Sequence, residues 1–313
     1  MKYTNLGSTG LNVSVLGMGT GGPSRAGKRT GKSKSESVDI IRTGLDSGIN
    51  FIDSAEAYGT EDIVGEAVSG LNRDSVIIST KTHAWQEPET GSIFPRLEQS
   101  LRNLSTDYID IYLLHAVTHD LYSETAEHFI PQLEKARDQG KIRFIGISEM
   151  FMSDPSHEML AAALDDQIWE VFMVGFNFLN QSARVKLLEK TEKKGIGTLD
   201  MFAVRRALSD ASRRKEVVRE LLDSGQLNSE DIPEPESQDP LRFLLEESDA
   251  ETFPEMAYRY CLEEPGIHVV LTGTGSREHL LQNIKSAEKP ALSPHLKEKI
   301  DGIFGRVNSV SGH

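Results

Sequence analysis

The segment that decides the fold reads Phe51-Ile52-Asp53-Ser54-Ala55-Glu56-Ala57-Tyr58-Gly59. Its apolar start is typical of a short buried strand, which ends at the carboxylate of Asp53. Tyr58 and Gly59 follow in a stretch that favours a loop. The segment therefore predicts a strand whose carboxyl end carries an acidic side chain, with a tyrosine in the loop just beyond it.

Two more predicted strands end in side chains that can take part in chemistry. The apolar run 75–80 stops at Lys81, and the run 108–114 stops at His115. In a parallel α/β barrel the carboxyl ends of all strands lie on one rim, and that rim carries the active site. We therefore expect four polar residues to converge there, namely Asp53, Tyr58, Lys81 and His115.

Strand and helix patterns alternate along most of the chain, which indicates parallel strands joined by helical crossovers. Eight such units favour a (β/α)8 TIM barrel, here a single domain spanning residues 1–313. Residues 1–16 predict a small N-terminal β-hairpin followed by a first barrel strand at 13–16, and residues 17–22 predict a flexible glycine-rich loop. The alternative is a doubly wound open sheet.

One long region interrupts the alternation after the seventh strand. Residues 205–251 begin basic and then become acidic and proline-bearing, with a short helix predicted at 217–222. A loop of this length on a barrel is often a lid or a wall of the substrate site. A solvated insertion is the alternative interpretation.

The composition excludes several classes of protein. The chain has 313 residues and a net charge of −14, which argues against nonspecific nucleic-acid binding. No apolar run approaches the ~20 residues that a membrane helix needs. The single cysteine, Cys261, cannot form an intrachain disulfide, and with no signal peptide it indicates a reducing, cytoplasmic environment.

The four rim residues suggest proton transfer to a carbonyl oxygen. An unperturbed tyrosine has a pKa of about 10, and a neighbouring ammonium lowers it. Asp53 would keep Lys81 charged, Lys81 would tune Tyr58, and a neutral His115 would orient the carbonyl. Tyr58 would then act as the general acid. A bound cofactor must supply the hydride, because no side chain can do so.

Several motifs together carry a family resemblance. They lie at 50–59, 79–81, 108–115, 140–148 and 273–276, with the pair Gln282-Asn283 beyond them. On these motifs the chain resembles the aldo-keto reductase family almost end to end. The resemblance implies a (β/α)8 barrel enzyme that reduces aldehydes or ketones, or runs the reverse reaction. It assigns the family's Asp, Tyr, Lys and His tetrad to the four rim residues.

The resemblance also implies a nicotinamide cofactor, with NADP(H) favoured and NAD(H) possible. Glycine-rich turns before a helix are suited to phosphate groups, and Arg277 could meet a 2′-phosphate. The expected cofactor contacts are Gly19, Thr20, Asp53, Ser148, Glu149, Phe202, Arg206, Gly273, Thr274, Gly275, Ser276, Arg277, Gln282 and Asn283. The nicotinamide end departs from the family pattern, because Glu149 replaces the usual Asn and Met173 the usual Gln.

Other roles are weaker expectations. Trp85 follows the third strand and is expected to form a wall of the substrate pocket. The partner is then a small-molecule carbonyl or alcohol, with no nucleic acid and no membrane. One alternative function is a nucleotide-binding barrel that serves as a regulatory or partner subunit without catalysis. A metal-dependent hydrolase using His83, His115 and Asp53 is a third, but no H-x-H or paired-carboxylate spacing supports a metal site.

Overall fold

The structure is a computed structural model, and it describes residues 1–83, 86 and 91–313. Two short antiparallel strands, β1 (Tyr3–Asn5) and β2 (Asn12–Ser14), form an N-terminal hairpin. Leu6, Leu11 and Val13 of this hairpin are buried in one cluster with side chains from the barrel interior. The hairpin therefore closes the amino-terminal end of the barrel.

Eight parallel strands follow and close on themselves, because the last strand pairs with the first. Each of the others pairs with its neighbours in chain order. This confirms the predicted (β/α)8 barrel with its small hairpin. The barrel strands are β3 (Leu16–Gly19), β4 (Phe51–Asp53), β5 (Ile77–Thr82), β6 (Ile109–Val117), β7 (Ile142–Glu149), β8 (Val171–Gly175), β9 (Gly197–Met201) and β10 (Val269–Thr272).

Helices surround the barrel and bury an apolar face against it. In the helix 93–104, for example, Ile93, Leu97, Leu101 and Leu104 are all buried on one stripe. The helices are α1 (Lys34–Asp46), α2 (Glu61–Val68), α3 (Ile93–Leu104), α4 (Tyr122–Asp138), α5 (Glu158–Ala163), α6 (Glu189–Lys194), α7 (Arg206–Ser209), α8 (Ala211–Asp223), α9 (Arg242–Glu246), α10 (Phe253–Leu262), α11 (Arg277–Glu288) and α12 (Pro294–Phe304).

The first barrel strand lies further along the chain than predicted. Residues 12–14 belong to the hairpin, and the glycine-rich segment expected to be a flexible loop supplies strand β3 instead. Gly17 is required there by packing, since a Cβ would lie 2.7 Å from Val269 Cγ1 and 2.9 Å from Phe51 Cδ1. Close approach of neighbouring side chains, and not flexibility, explains this glycine.

The insertion 205–251 is folded rather than irregular. It contains α7, α8 and α9, and the predicted short helix 217–222 is part of the longer α8. Val217, Val218 and Leu221 are buried in the main core. The Arg214 guanidinium binds the Asp239 carboxylate at 2.5 Å and ties the basic half of the insertion to its acidic half.

Candidate active site

An ion pair lies where strands β4 and β5 end side by side. The Lys81 ammonium contacts both carboxylate oxygens of Asp53, at 2.7 and 2.8 Å, and donates a third hydrogen bond to Ser54 O at 2.7 Å. Lys81 is 0% exposed and Asp53 is 3% exposed. The register Asp53–Ser79 between the two strands brings these side chains to the same rim. The pair is therefore shielded from water and fixed in position.

Tyr58 and His115 lie beside this ion pair. The Tyr58 hydroxyl is 3.3 Å from His115 Nε2, and the two rings meet edge to face with centroids 5.4 Å apart. Lys81 Nζ is 5.1 Å from the centre of the Tyr58 ring. The structure thus brings together all four rim residues expected from the sequence. Asp53, Tyr58 and His115 border a cleft of about 330 Å³ at the carboxyl ends of the strands.

Strand β6 is locally irregular at the point where it carries His115. The pairing of β6 with β7 shifts register between Leu114 and Val117, and Ala116 takes a positive φ of 55°. Such a bulge redirects the side chains around it. His115 is stacked on His83, with ring centroids 4.1 Å apart.

The electrostatics of Tyr58 differ from the expectation. Burial raises the pKa of the Tyr58 hydroxyl, and the opposing effect of Lys81 does not reverse this. The loss of water around the phenol raises the pKa more than the Lys81 ammonium lowers it. Tyr58 is therefore held in its protonated form, as a proton donor must be.

The charges around Tyr58 are also set by burial and contact. Burial alone would lower the pKa of Lys81, but Asp53 and Tyr58 outweigh it and the pKa is raised. Burial raises the pKa of Asp53, with Lys81 opposing the change. Burial, assisted by Lys81 and His83, lowers the pKa of His115 well below 6.5. The site thus combines an ammonium with a neutral imidazole.

Two residues missed by the sequence analysis fix the turn that carries Tyr58. Arg25 donates to Ala57 O at 2.6 Å and to Tyr58 O at 2.5 Å. Glu56 accepts hydrogen bonds from the His83 backbone N–H at 2.7 Å and from Arg96 at 2.9 Å. Glu56 is a near neighbour of Tyr58 in the sequence, but nothing in the local pattern indicated which groups it would bind.

Most of the cofactor contacts expected at the nicotinamide end border the cleft, but Thr20 does not. Gly19, Ser148, Glu149 and Phe202 border the cleft beside the tetrad. Thr20 does not, because it is fully buried and its hydroxyl bonds Asp53 O at 3.1 Å.

The carboxylate of Glu149 is already engaged by the protein. Its Oε1 lies 2.9 Å from His157 Nδ1 and accepts the Gly175 backbone N–H at 2.7 Å. Glu149 and His157 are 1% and 0% exposed, and His157 has a positive φ of 63°. Glu149 therefore stabilises the ends of β7 and β8, a role that its position in the sequence did not predict.

A groove of about 800 Å³ continues from the cleft towards α11. Five of the expected cofactor contacts border it, namely Gly273, Thr274, Gln282, Asn283 and Arg206. His279 borders it too and was not predicted.

Three further expected cofactor contacts near the start of α11 lie away from the groove, namely Gly275, Ser276 and Arg277. Ser276 caps α11 through the His279 backbone N–H at 3.3 Å, and Arg277 is exposed. Gly275 packs against the loop at Gly27, whose Cα would lie 2.8 Å from a Cβ at this position. None of the three is among the residues that border the groove.

Three other expectations concern a substrate wall, a metal site and a membrane span. Trp85 lies outside the described residues. Within residues 1–83, 86 and 91–313, no group of three or more His, Cys, Asp or Glu side chains is arranged to bind a metal. Among the helices of that same part of the chain, none has the length and apolar character needed to cross a membrane.

The chain is similar to known proteins in both sequence and fold. The model of the aldo/keto reductase family matches residues 15–304. An aldo-keto reductase of Bacillus subtilis, YhdN, is 37% identical over a stretch that spans 47% of each chain.

Two solved structures resemble the whole fold. The holo form of aldo-keto reductase AKR11C1 from Bacillus halodurans has a TM-score of 0.71 at 24% identity, covering 99% of this chain and 97% of that one. An aldo/keto reductase of Klebsiella pneumoniae in complex with NADP and acetate has a TM-score of 0.67 at 22% identity, covering 99% and 96%.

Proposed function

The chain belongs to the aldo/keto reductase family, and we propose that it is an NAD(P)H-dependent oxidoreductase that reduces an aldehyde or ketone to an alcohol, or runs the reverse reaction. One observation carries this proposal. The buried Lys81–Asp53 ion pair lies beside a Tyr58 hydroxyl that is 3.3 Å from His115 Nε2, at the rim of the barrel.

Each residue of the tetrad has a role that its surroundings support. Tyr58 donates the proton to the carbonyl oxygen, because its raised pKa keeps it protonated. The Lys81 ammonium stabilises the negative charge that then develops on the phenol oxygen. Asp53 keeps Lys81 charged and in place. Neutral His115 donates a hydrogen bond from Nε2 and orients the carbonyl.

The residues present fit a nicotinamide dinucleotide. The catalytic cleft and the groove share Gly273, at which a Cβ would lie 3.3 Å from Gly19 O. A side chain there would narrow the passage that a dinucleotide must cross. When bound, the reduced nicotinamide supplies the hydride that is transferred to the carbonyl carbon. Gly19, Ser148 and Phe202 would border its nicotinamide end.

NADP(H) is the favoured cofactor. Arg206 and His279 border the groove, where a 2′-phosphate would meet positive charge from the arginine. The similar Klebsiella pneumoniae structure was solved with NADP. Met150, Phe151 and Met152 also border the cleft, which favours a carbonyl attached to an apolar body. The insertion 205–251, through Arg206 and Arg214, forms one wall of the groove.

The test is the decrease of NADPH and NADH absorbance with a panel of aliphatic and aromatic aldehydes and ketones. The proposal predicts carbonyl-dependent oxidation, faster with NADPH than with NADH. Tight binding of NADPH without oxidation by any member of the panel would instead support the regulatory nucleotide-binding barrel.

A further inference from the structure

Arg205 lies where the catalytic cleft meets the groove, and it borders both cavities. Its guanidinium stacks on Phe202, 3.8 Å from the ring centre. Its Nη2 atom donates to His313 Nδ1 at 2.8 Å and lies 3.7 Å from Met152 Sδ. The side chain therefore extends across the cleft from the loop after β9 to the loop after β7.

The side-chain groups that Arg205 contacts are all neutral. The hydrogen bond requires a lone pair on His313 Nδ1, and burial together with Arg205, Arg213 and Arg206 lowers the pKa of His313. Phe202 and Met152 offer a ring face and a thioether. The Nε atom of Arg205 is buried and has no hydrogen-bond partner in the described part of the chain.

Other buried or half-buried arginines meet carboxylates. Arg214 binds Asp239, Arg259 binds Glu255 and Arg184 binds Glu264. For Arg205, burial lowers the pKa, and no Asp or Glu side chain in the described part of the chain offsets that effect. A partly buried charge without a counter-ion is unfavourable unless a ligand supplies one.

The position of Arg205 is fixed by the surrounding backbone. Asn177 Nδ2 donates to Phe202 O at 3.3 Å and to Ser311 O at 3.2 Å. The Ala207 backbone N–H donates to Gly312 O at 3.0 Å. These contacts join the loop after β9 to the segment 311–313, so the guanidinium is held in place before any ligand arrives.

We propose that Arg205 is an anion-binding residue at the junction of the cleft and the groove, and that its guanidinium pairs with the oxygens of a phosphate or carboxylate group. Because this inference rests on the proposed function, two sources supply such a group. One is a phosphate of the cofactor, and the other is a carboxylate on the carbonyl substrate. A guanidinium presents paired N–H donors that match two oxygens of either group.

The experiment compares Arg205→Met, Arg205→Lys and the wild type. Arg219→Met is the matched control, because Arg219 is 79% exposed on α8 and borders neither the cleft nor the groove. Thermal unfolding verifies that each variant is folded. NADPH affinity is measured by protein-fluorescence titration, and turnover is measured with 4-carboxybenzaldehyde and its methyl ester at saturating NADPH.

If the ligand is a cofactor phosphate, Arg205→Met should weaken NADPH binding about tenfold or more. At saturating NADPH it should then turn over both aldehydes as the wild type does. If the ligand is a substrate carboxylate, Arg205→Met should bind NADPH as the wild type does. Its kcat/KM should then fall about tenfold or more for the carboxylated aldehyde alone. In either case Arg205→Lys should lose less affinity or kcat/KM than Arg205→Met, and Arg219→Met should behave as the wild type. Unchanged NADPH binding together with an unchanged preference between the two aldehydes in Arg205→Met would overturn the proposal.

A failure of the reductase function can be told apart from a failure of this inference. If the wild type oxidises no NADPH, the titrations still proceed without turnover, with NADPH alone and then with benzoate added to the NADPH complex. Weaker binding of either ligand in Arg205→Met supports the anion site. Equal binding of both ligands in the two proteins refutes it.

Discussion

The Lys81 ammonium lies 2.7 Å from the Asp53 carboxylate, and neither side chain is more than 4% exposed. Burying two charges is costly unless they are paired and hydrogen bonded. Here the cost is offset by direct contact, by Ser54 O on the ammonium and by the Ser79 hydroxyl on the carboxylate at 3.0 Å. The fold thus keeps a positive charge beside Tyr58 in a region sheltered from water.

Removing one member of this pair should cost more than removing both. We predict that Lys81→Met lowers the free energy of unfolding by about 3–5 kcal/mol, because Asp53 is left buried without a counter-ion. The double variant Asp53→Asn/Lys81→Met should lose less. Urea unfolding measures both, with Arg219→Met of the exposed Arg219–Asp223 pair as the control, expected to cost about 0–1 kcal/mol. A double variant less stable than Lys81→Met would contradict this account.

The pH dependence of reduction follows from two shifted groups. His115, with a pKa well below 6.5, stays neutral at neutral pH and should produce no loss of kcat near pH 6.5. Tyr58, with a pKa raised above 10.0, stays protonated, so the rate should fall only in strongly alkaline solution. A pH profile of kcat with NADPH saturating tests both. A decline on the acid side centred near 6.5 would show that His115 titrates as an exposed imidazole does.

Replacing Glu149 by the residue usual in the family should destabilise this chain. Asn is one methylene shorter than Glu, so we predict that Glu149→Asn loses the contacts to His157 Nδ1 and to the Gly175 N–H. Two buried groups would then lack partners, which costs about 1–3 kcal/mol for each. Glu149→Gln keeps the length and should lose less. Thermal unfolding compares the variants, and an Asn variant as stable as the wild type would be inconsistent with the role given to His157.

A buried acid on β9 predicts a second pH effect, this time on stability. Burial raises the pKa of Asp200 well above 3.8, and the Phe176 N–H and the Cys261 thiol that face it carry no positive charge. Because the folded pKa exceeds the unfolded one, folding loses stability as the pH rises from about 4 through the folded pKa.

Asp200→Asn removes this dependence. Its advantage over the wild type in melting temperature should therefore be larger at pH 8 than at pH 5. Asp46→Asn at the exposed end of α1 is the control and should show no such trend. An Asp200→Asn advantage that is equal at the two pH values would refute the assignment.

Much of the fold and of the tetrad could be predicted from the sequence, because both depend on local patterns. Apolar runs that end in Asp53, Lys81 and His115 mark strand ends, and parallel strands bring their ends to one rim. The sequence pattern places the first barrel strand at 13–16 and not at 16–19, because glycine is usually a sign of a loop. Its presence here reflects the close approach of Phe51 and Val269.

The surroundings of the site could not be predicted in the same way. The Glu149–His157 contact depends on a left-handed backbone at His157, and the residue type alone does not predict that conformation. The partner of Arg205 is His313, more than a hundred residues away, and that contact depends on how the segment 311–313 packs. Such contacts are set by tertiary packing, which a sequence pattern does not contain.

The most direct test of the central claim is NADPH oxidation by wild type and Tyr58→Phe, with NADPH binding measured in parallel. The matched control is Tyr108→Phe, whose hydroxyl binds Asp74 near the opposite end of the barrel. If Tyr58 is the proton donor, Tyr58→Phe binds NADPH as the wild type does and loses about 10²- to 10⁴-fold in kcat, while Tyr108→Phe remains active. A Tyr58→Phe variant that reduces the same carbonyl at the wild-type rate would contradict the account.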